Sequence, residues 1–361
     1  MIGSPGVPVA KLSKSFGWNF RTGLLIGCAI AAAVAAAAFA YDRYDTKTLK
    51  RTVRRDAVYC GVNTGLPGFS AQDDKGVWSG FDVDFCRAIA AAIFDDPKKV
   101  KFVPLDAKER FAELAKRKVD VLARNSTWTM SRETEYALHF AAVSYYDGQG
   151  FMVPRARSKA SALELDGSTV CVQGETTTVL NLADYFRANN MKYQEKRLRT
   201  VDEVFNAYLA GQCDTLTADI SQLYALRLKL PKPADHVILA DVISKEPLAP
   251  VVRQKDDDWL LLVKWTLFAM INAEELGITS KNIDEAMKSK KPEVMRFVGN
   301  DGDYGADLDL PKDWAVRIIR RVGNYGEVYQ RNVGSGSKLG IPRGLNALWT
   351  AGGILYAPPI R

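Results

Sequence analysis

Ala57-Val58-Tyr59-Cys60-Gly61-Val62-Asn63, running into Thr64-Gly65-Leu66-Pro67-Gly68, is the stretch on which the fold turns. A short apolar run that breaks into a Gly/Pro loop is the pattern of a strand delivering a loop at its carboxyl end. Downstream, Val83, Cys86, Ala90 and Ile93 recur at spacings of 3, 4 and 3. That predicts an amphipathic helix with Asp82 as its N-cap, stopped by Asp95-Asp96-Pro97. Val100–Val103 is predicted as a second strand, Ala107–Lys118 as a helix buried through Phe111 and Leu114, and Val119–Ala123 as a third strand. This β-α-β-α-β order implies parallel strands covered by helices.

The same logic restarts around Phe151. A strand at Thr169–Val172, a Thr-rich loop, a helix through Arg187, a helix at Val201–Leu209 and a strand at Thr215–Ala218 make a second α/β lobe. Ligands of open α/β sheets sit beyond the carboxyl ends of strands, so the candidate loops are 63–70, 124–132, 173–178 and 219–222. Trp259–Ile271 is apolar but short and carries Lys264, which predicts a buried helix. Trp314–Val322 has helix potential, and the rest of the last eighty residues is aromatic, Gly-rich and aperiodic.

Composition removes several function classes. The 361 residues, 47% hydrophobic and 25% charged, suit two globular domains. The net charge of +7 comes without a Lys/Arg block, so no nucleic-acid partner is expected. With only two histidines, His139 and His236, neither a His-rich metal site nor a Ser-His-Asp triad has material. No metal, cofactor or catalytic residue is expected, and the chain reads as a binder rather than an enzyme.

Lys11, Lys14 and Arg21 precede an uninterrupted apolar run from Gly23 to Ala40 that ends Ala38-Phe39-Ala40. A basic segment, an apolar stretch and an A-x-A site describe residues 1–40 as a signal peptide. The alternatives are an uncleaved inner-membrane anchor, or a lipoprotein through Leu25-Ile26-Gly27-Cys28. Each places the remaining chain outside the cytoplasm, in the periplasm. Residues 41–56 are a polar segment. Cys60, Cys86, Cys171 and Cys213 remain after the leader, with no C-x-x-C spacing. Proximity favours Cys60 with Cys86 and Cys171 with Cys213, and four reduced, buried thiols are the competing state.

An amino acid in water is a zwitterion, so a site for it needs a forked cation for the carboxylate and an anion for the ammonium. Arg124-Asn125-Ser126-Thr127-Trp128-Thr129-Met130-Ser131-Arg132 gathers hydroxyls, a Trp and two arginines in one loop. Gly174-Glu175-Thr176-Thr177-Thr178 opens a helix and suits an anionic group, and Asp219 follows a strand. Taken singly, the threonines and Asp219 read equally well as helix caps and Arg132 as a solvated side chain.

Their order is more specific. Gly80-Phe81-Asp82-Val83-Asp84, Val119-Asp120-Val121-Leu122, Thr129-Met130-Ser131-Arg132, His139-Phe140, Val170–Thr177 and Cys213–Asp219 resemble the solute-binding proteins of polar amino acid ABC importers. Cys60–Gly68, Trp128–Arg132, Tyr145–Met152, Asn324–Arg331 and Gly344–Arg361 are similar to its general L-amino-acid-binding branch. The resemblance covers nearly everything after Val53. It implies a type II periplasmic-binding-protein fold of two α/β lobes joined by a two-segment hinge. Lobe 1 would be 57–148 plus 250–361, with a C-terminal extension packed on it, and lobe 2 would be 149–249.

The resemblance further implies that Arg132 grips the α-carboxylate with help from Asn125 and Thr127, and that Asp219 receives the α-ammonium. Thr176 and Thr177 would touch the carboxylate from lobe 2, while Asn63, Leu66 and Phe69 would line the pocket. The implied partners are an L-amino acid and the membrane permease of an ABC transporter, served by a monomeric binder; the same lobes would also suit a sensor. Two departures stand out. Glu175 occupies a usual glycine position, the one feature pointing to a dehydratase-like enzyme with a cleft acid. Leu66 replaces a stacking aromatic, so Phe69, Trp78 or Trp128 would have to supply that surface.

Overall fold

The computed structural model describes residues 47–361, so the leader reading and Cys28 lie outside the described residues. Two sheets organise the chain. In the first, the strands lie in the order Val100–Pro104, Val58–Val62, Val121–Leu122, Val251–Arg253, Leu138–Phe140. The first three are parallel, with Cys60 opposite both Phe102 and Val121. Val251–Arg253 alone runs against its neighbours, Val251 facing both Leu122 and Phe140 in antiparallel pairs, so Leu138–Phe140 at the edge again points the same way as the first three. In the second sheet the order is His236–Ile238, Tyr145–Pro154, Thr215–Asp219, Thr169–Gln173, Gln194–Leu198. Ser244–Leu248 also pairs with Tyr145–Pro154, Leu248 standing opposite Tyr145. The chain therefore leaves the first sheet after Phe140 and returns at Val251 along two antiparallel strands. Among the described residues no helix is long and apolar enough to cross a membrane.

The helix over the first sheet runs Phe81–Phe94, and most of it is buried because small alanines let it sit close to the strands. Its N-cap is Gly80, not Asp82. At φ 135° a Cβ on Gly80 would lie 2.1 Å from the Phe69 carbonyl oxygen, so only glycine lets the 64–70 loop press against the helix start. The predicted Ala107–Lys118 helix contracts to Arg110–Ala115. Asp106 caps the backbone N–H groups of Lys108 and Glu109 at 2.9 Å, and Arg117 takes a left-handed φ of 64° after the last turn. Disulfides join Cys60 to Cys86, strand to covering helix, and Cys171 to Cys213 in the second lobe.

Part of the polar segment 41–56 is a helix, Thr48–Arg55. Arg51 and Arg55 reach the fully buried Asp120, whose carboxylate also accepts from the Tyr59 backbone N–H at 2.8 Å. Thr48 donates to Asp256 through its backbone N–H and its hydroxyl.

The aperiodic C-terminal residues are built onto the first lobe. Helices Trp314–Arg321 and Tyr325–Asn332 pack on Phe81–Phe94 and on Asp257–Glu275. The Tyr325 hydroxyl donates to the Ser144 carbonyl at 2.8 Å, and Arg331 and Asn332 both donate to Asp84. Arg343 forks onto Glu274 at 2.9 and 3.1 Å. Asn346 exchanges two hydrogen bonds with the Tyr146 backbone, which ties the extension to a strand that crosses between the sheets.

Trp314, Ile318, Ile319, Tyr325, Tyr329 and Val333 are all buried in the one large core. Each such burial contributes about 1.5–3 kcal/mol, so together they rival the ~5–15 kcal/mol net stability of a domain. A chain ended after Ile278 is expected to lose cooperative thermal unfolding; a transition at an unchanged midpoint would contradict this assignment.

Candidate functional site

A cavity of about 30 Å³ lies between the loops of the two sheets. Asn63, Arg110, Arg124, Asn125, Thr127 and Arg132 line it from the first sheet, and Gln173, Thr176, Thr177, Thr178, Thr217, Asp219 and Gln222 from the second. Seven of the expected residues thus converge: Asn63, Asn125, Thr127, Arg132, Thr176, Thr177 and Asp219. At this size it holds a water or two, less than any amino acid, so a ligand requires the two sides to part. A larger cavity of about 170 Å³ lies at the C-terminal extension, around Trp349, Tyr356 and Arg296. It does not gather groups from both sheets, which is why the smaller cavity is the candidate.

Leu66 and Phe69 are not in the lining. Both are 1% exposed in the core. The 64–70 loop folds back on itself through the Leu66–Ser70 bridge, and Phe69 packs edge-on against Tyr145 at 5.3 Å. The alternative aromatics lie elsewhere too. Trp128 stacks on Phe140 at 5.6 Å and donates to Glu133, and Trp78 packs on Phe102. Apart from Ala218, the lining is therefore amide, hydroxyl and charge, without an aromatic ring.

The loop after Val121–Leu122 sets the first-lobe groups. Asn125 sits at φ 35° and its backbone N–H donates to Asp82 at 3.0 Å, while its side-chain oxygen accepts from Asn63 Nδ2. Asp82 is thus a buried brace for this loop; burial pushes its carboxyl up to about 7. Arg124 donates from Nε to the Leu105 carbonyl, and burial lowers its guanidinium to about 10. Arg132 is not a solvated side chain: it donates to the Thr127 carbonyl at 2.8 Å, and burial lowers its pKa against the pull of Glu246 and Asp219.

On the other side, Asp219 holds the N-cap position of Ile220–Lys229 without making a side-chain cap bond. Its carboxylate, 8% exposed as a residue, is left facing the cavity. Burial raises its pKa well above the usual carboxylate value, and the neighbouring Asp147 and Glu246 add to the rise. Thr176 likewise makes no cap bond, its hydroxyl donating to the Gln173 carbonyl at 2.7 Å. The first-turn N–H groups of Thr177–Ala188 thus keep no side-chain cap, which favours an anion there. Glu175 is exposed, left-handed at φ 58° and outside the lining. It takes the left-handed conformation that glycine would supply, and its side chain forms no part of the cleft lining.

Two determinants escaped the sequence reading. Arg110 is 3% exposed and lines the cavity. It stands four residues before Leu114, on the face predicted to be buried, and that spacing was the available signal. Glu246, 1% exposed, accepts hydrogen bonds from Thr127, Thr177, Asn181 and Ser244. The hydroxyls of Thr127 and Thr177, expected on a ligand carboxylate, are both engaged by this protein carboxylate, which joins the two sides of the cleft. The signal was its strand position two before buried Leu248, on the inward face.

The chain matches the model of the bacterial extracellular solute-binding proteins, family 3, over residues 58–282. It is 54% identical, over 93% of its length and 97% of the relative, to the general L-amino acid-binding periplasmic protein of Rhizobium johnstonii. It is 51% identical, over 92% and 97%, to the glutamate/glutamine/aspartate/asparagine-binding protein of Rhodobacter capsulatus. Among solved structures, an ABC transporter periplasmic binding protein from Brucella ovis with glutathione bound is 53% identical, with a TM-score of 0.86 over 88% of this chain and 100% of that one.

Glu246→Gln keeps the shape but offers one acceptor oxygen where two carboxylate oxygens now serve four donors. It is expected to lower stability by about 1–3 kcal/mol, read as a fall in the denaturant midpoint; an unchanged midpoint would show that the Glu246 network does not hold the two sides together.

Proposed function

The chain belongs to the bacterial extracellular solute-binding proteins of family 3, and from that premise we propose that it captures L-amino acids between its two lobes for an ABC importer. The type II periplasmic-binding fold of that family accounts for the two mixed sheets and the paired crossing strands. The observation that carries the reading is the pairing of Arg132, from one lobe, with Asp219, from the other, across a small polar cavity.

In the proposed complex Arg132 forks onto the α-carboxylate with Asn125 beside it, Thr127 stays on Glu246 behind them, and Asp219 accepts from the α-ammonium. The Thr176 and Thr177 hydroxyls are spent on Gln173 and Glu246, so it is the uncapped backbone N–H groups at the start of Thr177–Ala188 that reach the same carboxylate from the second lobe. A ligand held by both lobes binds the closed arrangement better than the open one and shifts the population toward it. The closed form is then what the permease receives, from a monomer in the periplasm. Glutathione, bound in the Brucella ovis relative, carries a free α-amino and α-carboxyl group on its glutamyl residue. This supports recognition of that head group. An enzymatic reading rested on Glu175, and the exposed position of Glu175 removes its support.

Calorimetry of the leaderless protein with the common L-amino acids tests the proposal. Micromolar or tighter binding is expected, with Arg132→Ala weakening it on the order of a hundredfold; binding to none of them would refute the proposal.

A pH dependence follows from Asp219. Its carboxyl is raised in the free protein, whereas a bound ammonium favours the ionised form, so the complex holds fewer protons than its separated parts. Affinity should therefore fall as pH drops through the raised Asp219 pKa, and binding at that pH should release a proton into buffer. Equal heats in buffers of different ionisation enthalpy would contradict it.

A further inference from the structure

The cavity holds more positive charge than an amino acid zwitterion can use. Arg124 has the Leu105 carbonyl and the nearby Asp82, and Arg132 has the Thr127 carbonyl and the place for an α-carboxylate. Arg110 has neither. Among the described residues its guanidinium makes no hydrogen bond or ion pair, its Nε is buried without a partner, and its ring contact is with Phe111 at 4.7 Å. The Arg132 guanidinium lies 5.4 Å from that same ring, so the two cations flank one side chain. Asp219 is the anion in the lining, and an ammonium would occupy it.

A buried, unpaired guanidinium is costly unless a ligand supplies its counter-charge. Accepting the cleft as an amino acid site, we propose that Arg110 is a specificity-determining residue that takes a second carboxylate of the ligand, selecting dicarboxylic compounds with an α-amino acid head group. The guanidinium fork matches a carboxylate in two hydrogen bonds, and Arg110 and Arg132, both against the Phe111 ring, can each take one carboxylate of the same ligand. A free acidic amino acid and a short γ-glutamyl peptide present the same chemistry at different reach. Burial, together with repulsion from Arg124 and Arg132, lowers the Arg110 pKa, as expected of a cation awaiting its partner.

Arg110→Gln and Arg110→Lys are compared with the unsubstituted protein by calorimetry against L-glutamate, L-glutamine and γ-L-glutamylglycine. Arg110→Gln should lose about a hundredfold for a ligand with a second carboxylate and less than about threefold for glutamine, with Arg110→Lys between. Selective loss for glutamate identifies the free acidic amino acid as the source, and selective loss for the dipeptide identifies the peptide. Without ligand, Arg110→Gln should melt no lower than the unsubstituted protein, because an unpaired buried charge is removed. Equal loss for all three ligands, no loss for any, or a Tm drop without ligand would overturn the proposal. In those cases glutamine binding that still depends on Arg132 would show that the amino acid reading survives it.

Discussion

Charges taken out of water must find counter-charges, and in this protein that requirement is concentrated in one small cleft. Arg110, Arg124 and Arg132 approach from one sheet, Asp219 from the other, with Asp147 and Glu246 behind it. Desolvation lowers the arginine pKa values and raises that of Asp219, so burial works against the charged form of both kinds of group. A zwitterion would relieve both at once, and on the proposed reading a ligand completes the electrostatics of the cleft rather than filling an apolar hole. The ring-free lining fits the same proposal, in which selection is ionic.

The scaffold keeps these groups in place from several directions. Asp82 braces the Asn125 loop from the helix that Cys86 ties to the Val58–Val62 strand. Glu246 gathers hydroxyls from both sides of the cleft, on a strand that crosses between the sheets. The C-terminal extension grips the other crossing strand through Asn346 and Tyr146, and the Thr48–Arg55 helix closes over Asp120 beneath the first sheet. Buried carboxylates are thus used repeatedly as anchors, Asp120 and Glu246 each held by several donors and Asp82 by the Asn125 backbone N–H.

Local patterns made much of this legible. The 3-4-3 spacing after Asp82 and the apolar run at 57–63 were enough for a helix on a strand, because burial on one face leaves a periodic trace. Arg132 and Asp219 stood out as candidates because few residue types can hold a zwitterion, and the structure brings both to the cavity. Leu66 and Phe69 were misplaced for a different reason: a strand-end loop can turn its apolar residues either into a cleft or into the core. The choice fell to Tyr145, Phe81 and Gly80, which meet the loop from other parts of the chain. The extension was illegible because its aromatics bury against helices far away in sequence and leave no period.

By itself, the sequence determined the α/β class, the two repeated strand-helix runs, and a pair of opposite charges suited to an amino acid head group. These depend on side-chain type and near-neighbour spacing, both of which are local. Only the tertiary structure decided that Glu175 faces outward, that Glu246 holds Thr127 and Thr177, and that Arg110 stands unpaired in the cleft. Each of these depends on which distant group arrives alongside, and a buried charge acquires its meaning only from that neighbour.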